Sequence, residues 1–147
     1  GPNGAGKSSA IGMLTGQLAP TAGHATVKGH DVTQDTWAAA RHFGYCPQSD
    51  PVWDHLTCRE HLRLYLALGG ECRAASSRRT DHLLKVLQLQ EYADAGCKTL
   101  SGGTRRKLSL ALALAAQPPV LFLDEPSTGM DVLSRRAAWG AVKGKGQ

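Results

Sequence analysis

The chain opens on Gly1-Pro2-Asn3-Gly4-Ala5-Gly6-Lys7-Ser8, a G-x-x-x-x-G-K-[ST] run with Gly1, Gly6, Lys7 and Ser8 at the fixed positions. No other stretch constrains the fold as tightly, because these residue types work together only in a turn that feeds the start of a helix. Glycines let successive backbone N–H groups turn inward and form a nest for phosphate oxygens. A helix beginning near Lys7 adds the positive end of its dipole to the same place. There Lys7 can reach the β- and γ-phosphates of a nucleotide, and the Ser8 hydroxyl can ligate Mg2+. A chance glycine-rich loop is the alternative, and the helical pattern that follows from Ser8 to Gln17 speaks against it. By itself the run points to a nucleoside triphosphate and does not separate an ATPase from a GTPase or a kinase.

A second element narrows the reading. Val120-Leu121-Phe122-Leu123 is hydrophobic throughout, as parallel strands buried on both faces are, and it ends in Asp124-Glu125. Asp124 at the strand tip can hold Mg2+ directly or through water. Glu125, one residue on, points elsewhere and suits general-base work on an attacking water. The plainer alternative is that both acids cap the next helix. Between the two elements lies Leu100-Ser101-Gly102-Gly103-Thr104. A bare S-G-G is usually just a helix start, but its small residues expose N–H donors at a helix N-terminus, which is a second anion site. If both devices serve one nucleotide, they have to meet across a dimer.

The rest of the chain fits around these points. Ala25–Lys28 is short and β-like with a turn at Gly29, and Phe43–Cys46 is a strand stopped by Pro47. Thr57 and Glu60 form a capping box for a helix that keeps Leu62, Tyr65 and Leu66 together and ends at Gly69-Gly70. Another helix is predicted from Ser77 to Leu89, so that the stretch from about Ser49 to Thr99 is mainly helical. In Leu108–Ala116 the leucines alternate with Ser and Ala, a strand period. Leu and Ala are nevertheless strong helix formers and nothing there is β-branched, so a buried helix is predicted. A last helix runs from Ser134 to Val142.

Composition excludes several classes. With 147 residues, 41% hydrophobic and 20% charged, the chain is not disordered, collagen-like or coiled-coil, and the length favours one domain. No stretch reaches the roughly 18 consecutive apolar residues that cross a bilayer; Ser109, Gln117, Pro118 and Pro119 interrupt the nearest candidate. The formal net charge of +5 comes from short clusters such as Arg78-Arg79, Arg105-Arg106-Lys107 and Arg135-Arg136. Without an accompanying RNA- or DNA-binding pattern these read as solvated helix faces, and no nucleic-acid partner is expected. The four cysteines, Cys46, Cys58, Cys72 and Cys97, include no C-x-x-C pair and read as free thiols. The histidines are scattered; His55 and His61 do not have the spacing that stacks ligands on one helix face.

Taken together, the motifs resemble the nucleotide-binding domain of ABC-type ATPases, and among them the A subfamily of ABC transporters. The Walker A motif is Gly1–Ser8, the Q-loop Tyr45-Cys46-Pro47-Gln48, the signature Leu100–Thr104, Walker B with its glutamate Leu121–Glu125, and the D-loop Ser127-Thr128-Gly129-Met130-Asp131. The A-subfamily likeness rests on Gly44–Gln48, Arg105-Arg106-Lys107-Leu108-Ser109 and Glu125–Asp131. Thr104 stands where most of the superfamily has Gln, and Val132 replaces a frequent Pro. The resemblance implies an α/β fold, a P-loop NTPase (RecA-like) core with a mainly parallel sheet and an inserted helical subdomain. Residues 1–48 would carry Walker A and the Q-loop, 49–103 the helical subdomain ending in the signature, and 104–147 Walker B and the D-loop.

It also implies ATP and Mg2+ as ligands. Gly1, Asn3, Gly4, Ala5, Gly6, Lys7, Ser8 and Ser9 would hold the phosphates, while Ser8, Gln48 and Asp124 would serve the metal. Glu125 and Gln48 would act in hydrolysis. Ser101, Gly102, Gly103 and Asp131 would act on a nucleotide held by a second such domain packed head to tail. The further partners would be transmembrane domains of the same transporter, with this domain on the cytoplasmic face of the membrane and lipid the cargo that the subfamily suggests. The abrupt start at Gly1, without Met or a first strand, reads as a piece of something larger. The family's adenine-stacking aromatic would precede Gly1 and its switch histidine would follow Gln147, leaving the sheet incomplete at both ends. A soluble ABC-type ATPase of translation or repair is the rival reading, although the chromosome-organising type is excluded because no coiled coil fits between Lys7 and Ser101. A non-catalytic nucleotide-binding fragment is the other.

Overall fold

Two short strands far apart in sequence pair first. In the computed structural model, which describes residues 5–144, β3 (Phe43–Cys46) and β4 (Val120–Leu123) run parallel with Phe43 opposite Val120 and Cys46 opposite Leu123. Parallel neighbours need a long crossover, and here it contains α3 (Cys58–Leu68), α4 (Arg73–Val86) and α5 (Gly102–Ala115). Before β3 come α1 (Lys7–Leu14), the hairpin of β1 (Thr26–Val27) and β2 (His30–Asp31), and α2 (Thr36–Ala40); α6 (Val132–Lys143) follows β4.

The hairpin turns through Lys28 and Gly29, both with positive φ of 52° and 87°. Two successive left-handed residues match the right-handed twist of the flanking strands. The predicted turn at Gly29 is therefore present, and β2 is the strand it returns to. The helix predicted at Ser8–Gln17 begins at Lys7 and stops at Leu14. That predicted at Ser77–Leu89 is displaced toward the N-terminus, as α4, and ends before Gln88, which has a φ of 54°. One helix, α2, was not predicted; Asp35 caps it by accepting from the Ala38 N–H at 3.1 Å.

α5 organises the core. All of its residues from Thr104 on are buried except Arg105, so the leucine alternation belongs to a helix covered on every side. It packs on β3, α3, α4 and α6; its own Leu108 and Leu110 are almost wholly enclosed, as are Leu62, Leu66, Leu84, Leu87 and Leu89 in the same core. It also runs continuously across residues 103 and 104, tying the helical segment to the one that follows. Gly44 lets it approach β3: a Cβ there would lie 2.0 Å from the Ala113 carbonyl oxygen. β4 differs from expectation. All four of its residues are partly exposed rather than buried on both faces, because among the described residues its only strand partner is β3.

The capping box is formed as predicted: Glu60 donates its N–H to the Thr57 hydroxyl at 3.2 Å, and the Thr57 N–H donates to Glu60 Oε2 at 2.8 Å. One turn on, the fully buried His61 bridges to Trp53. Its Nδ1 lies 2.9 Å from the Thr57 carbonyl, which can only accept, so Nδ1 carries the proton. Nε2 then accepts from the Trp53 N–H at 2.9 Å, and the two rings stack at 5.7 Å. A second ring proton would face that N–H. Burial first of all, assisted by His55 and Arg105 and opposed by the Thr57 carbonyl and Glu60, holds the imidazole below its usual value near 6.5.

Folding stability from a neutral His61 is thus complete above about pH 6.5 and declines as pH falls through the lowered native value. In urea unfolding of the chain, the midpoint at pH 5 falls below that at pH 7.5, and His61→Gln removes part of this drop. The same drop in variant and parent would show that His61 is not its source.

Candidate functional site

Gly6 precedes α1 at φ 76° and ψ 12°, a left-handed conformation that glycine adopts without penalty. α1 has no side-chain cap at Gly6 and no acidic residue in its first turn, and the positive end of a helix dipole favours an anion there. Facing it is the end of β4, where the ladder continues as Asp124 N–H donates to the Cys46 carbonyl at 2.9 Å. The nearly buried Asp124 there accepts from the Ser8 hydroxyl, Oγ to Oδ2, at 2.7 Å. Gln48 arrives from the loop after β3. Ala5, Gly6, Lys7, Ser8, Ser9, Gln48, Asp124 and Glu125 together line one hollow of about 480 Å³.

The donor set suits Mg2+. The Ser8 hydroxyl, the Asp124 carboxylate and the Gln48 amide oxygen are hard oxygen ligands, of the kind that bind this ion together with substrate phosphates. Glu125 does not cap a helix. Its backbone is left-handed at φ 49°, and its Oε2 accepts from the Thr128 hydroxyl at 3.0 Å. Gly1, Asn3 and Gly4, also expected to hold phosphate, lie outside the described residues.

The remaining expected residues gather elsewhere. Ser101 caps α5, its Oγ accepting from the Thr104 N–H at 3.2 Å and lying 2.9 Å from the Thr104 hydroxyl. Thr104, at the position where Gln is usual, thus closes a local hydroxyl pair. Gly103 fits against the loop before α6, where a Cβ would stand 2.9 Å from the Gly129 carbonyl oxygen. Ser101, Gly102, Gly103, Gly129 and Asp131 border a second hollow of about 730 Å³, which Gln48 also touches. Asp131 caps α6: its carboxylate accepts from the Ser134 N–H at 2.9 Å and hydroxyl at 2.7 Å. The backbone bond foremost holds its carboxyl below the usual value.

The expected residues therefore form two sets on one chain, with Gln48 between them. The family model for ABC transporters matches residues 1–128. The chain belongs to the ABC transporter family. This cassette has the α/β P-loop NTPase fold: a solved ATP-binding subunit of an ABC transporter superposes with a TM-score of 0.89, at 29% identity, over 98% of this chain and 60% of that one. A dimeric ATP-binding cassette in a post-hydrolysis state, bound to ADP and Pi, shares the fold with a TM-score of 0.87 and 23% identity, over 97% of this chain and 65% of that one.

Curated relatives that it resembles include sub-family A proteins. ATP-binding cassette sub-family A member 7 of Mus musculus is 49% identical over 142 residues, which is 97% of this chain and 7% of the relative. Sub-family A member 2 of Homo sapiens is 46% identical over 97% of this chain and 6% of its own. The phospholipid-transporting ATPase ABCA3 of Mus musculus is 44% identical over 97% and 8%. The cassette thus spans less than a tenth of these relatives. No described helix is long and apolar enough to cross a membrane.

One reading of the cassette's charges is corrected. The Arg105-Arg106-Lys107 cluster is not a solvated helix face. Arg106 is 3% and Lys107 7% exposed; Lys107 donates to the Gln88 carbonyl at 3.2 Å, and Arg105 pairs with Asp54 at 2.8 Å. Arg106 is the polar residue to which the motifs gave no role. It reaches main-chain carbonyls beside both Gln48 and Glu125. Its sequence signals were its place in the basic run Arg105–Ser109 behind the A-subfamily likeness and at the head of a leucine- and alanine-rich helix.

Proposed function

We propose that the chain is the ATP-binding and hydrolysing part of a membrane transporter. The observation that carries this is the 2.7 Å contact between Ser8 and Asp124 in a hollow also lined by Lys7, Gln48 and Glu125. Gly1, Asn3, Gly4, Ala5, Gly6, Lys7, Ser8 and Ser9 hold the phosphates, with Lys7 at the β- and γ-groups. Ser8, Gln48 and Asp124 hold Mg2+, which when bound neutralises charge on the phosphoryl oxygens during transfer. Glu125 accepts a proton from the attacking water.

The separate hollow at Ser101 supports a head-to-tail pair, in which Ser101, Gly102 and Gly103 of one cassette cover the γ-phosphate held by the other. Asp131 keeps the loop after Walker B in place beside them. ATP then closes the pair and hydrolysis releases it, a two-state element that transmembrane domains of the same transporter can use. The likeness to sub-family A relatives, one of them a phospholipid-transporting ATPase, supports a cassette that works at a membrane, on its cytoplasmic face, with lipid as cargo.

Ser101→Arg tests the pairing. It puts a long cation where a partner's nucleotide has to dock and removes a cap worth about 1 kcal/mol. In sedimentation velocity with Mg-ATP, a Glu125→Gln cassette is expected to pair. The same cassette with Ser101→Arg is expected to stay single while still binding ATP. A normal pair in the double variant would refute the role of Ser101 in trans.

A further inference from the structure

We propose that Arg106 is a positioning residue: its guanidinium locks the Gln48 loop and the Glu125 turn to the signature helix, setting both side chains for hydrolysis. The proposal rests on the roles given above to Gln48 and Glu125. Charged side chains are almost never so enclosed unless paired, and Arg106 has one carboxylate partner, Asp50, at 3.1 Å. Its other acceptors are main-chain carbonyls in two groups. On one side, Nη1 donates to Pro47 and to Gln48 at 3.2 Å. On the other, Nη2 donates to Asp124 and to Glu125 at 2.8 Å, and Nε to Glu125 at 3.2 Å.

The carbonyls grasped belong to the residues that matter. Glu125 has the left-handed backbone that residues with a Cβ rarely adopt. Its carbonyl receives two of the bonds, which fixes the peptide after it and hence the direction of its side chain. The Gln48 carbonyl is held from the opposite side by one bond, from Nη1 at 3.2 Å. A rigid planar fork can span both groups at once, whereas an ammonium is a single point of charge and cannot.

Arg106 also sits in the first turns of the helix that Ser101 caps. A displacement of that helix by nucleotide on its Ser101 end has to carry the guanidinium with it, or break one set of bonds. The residue thus ties the surface that faces the partner's nucleotide to the two side chains that act on the cassette's own.

The test uses the intact protein with Arg106→Met, which keeps the buried stem, Arg106→Lys, which keeps the charge, and Glu125→Gln alongside. Binding sites are counted by titration with trinitrophenyl-ATP, and phosphate release is expressed per binding site. Arg106→Met is expected to keep nucleotide affinity and KM within about threefold while kcat per site falls about tenfold or more, the scale of a small misplacement of reacting groups. Arg106→Lys is expected to fall between Met and the parent. Unchanged kcat per site in both variants would reduce Arg106 to a packing element and overturn the proposal. If Arg106→Met binds no nucleotide, Arg106→Lys decides alone: several-fold loss per site supports the proposal, and parent-like turnover overturns it. If Glu125→Gln leaves turnover unchanged, the underlying role of Glu125 fails. If Glu125→Gln abolishes turnover and the Arg106 variants do not alter it, only the present inference fails.

Discussion

Replacing Glu125 by Gln in the intact protein is expected to lower ATP turnover roughly 100-fold or more while leaving nucleotide affinity nearly unchanged. The amide has the shape of the carboxylate, and its oxygen can still accept from the Thr128 hydroxyl, which lies 3.0 Å from the native Oε2. The left-handed backbone at φ 49° and the grip of Arg106 on the carbonyl are main-chain features that the substitution does not touch. What is lost is the basic oxygen that takes the water's proton. Phosphate release and a nucleotide titration on the same preparation separate these effects. Equal turnover in the two proteins would remove Glu125 from the base role.

The largest expected effect on folding is at Gly44. A Cβ there would lie 2.0 Å from the Ala113 carbonyl oxygen, 3.0 Å from its carbon and 2.8 Å from Pro118 Cγ. Backbone on one side and a proline ring on the other cannot swing away as a flexible side chain would. β3 has to leave its register with β4, or the end of α5 has to lift. Gly44→Ala should therefore cost about 3 kcal/mol or more, at the upper end of what overpacking costs. Gly140→Ala is the matched control: it lies inside α6 with nothing among the described residues within 4 Å of the added carbon, and should stabilise by about 0.5–1 kcal/mol through helix propensity. Urea unfolding followed by circular dichroism measures both, and an unchanged midpoint for Gly44→Ala would contradict the close approach of α5 to β3.

These two residues also show what could be read from the sequence. Glu125 was recognisable because its chemistry is local: an apolar strand ends in two acids, and the strand dictates where they emerge. The Thr57–Glu60 box and the leucine-rich α5 were legible for the same reason, being patterns within a turn or a helix. α2 was not, since five residues after Asp35 make a single turn with no period to detect. Nor was the partial exposure of β4, which depends on how many strands lie beside it.

Arg106 is the clearest case. Within its own segment it is one of three adjacent cations, a pattern that normally faces water. Its burial is decided by the Gln48 carbonyl, 58 positions away, and the Glu125 carbonyl, 19 positions away, and no local rule connects them. Asp131, expected to act across an interface, also caps α6 through its carboxylate.

The central claim is that the hollow formed by Lys7, Ser8, Gln48, Asp124 and Glu125 holds the phosphates of Mg-ATP. Fluorescence titration of the intact protein with trinitrophenyl-ATP in the presence of Mg2+, compared with Lys7→Ala, tests it most directly. Loss of one charge-assisted contact to phosphate should weaken affinity at least about tenfold. Equal affinity in the two proteins would mean that the phosphates are not bound at Lys7.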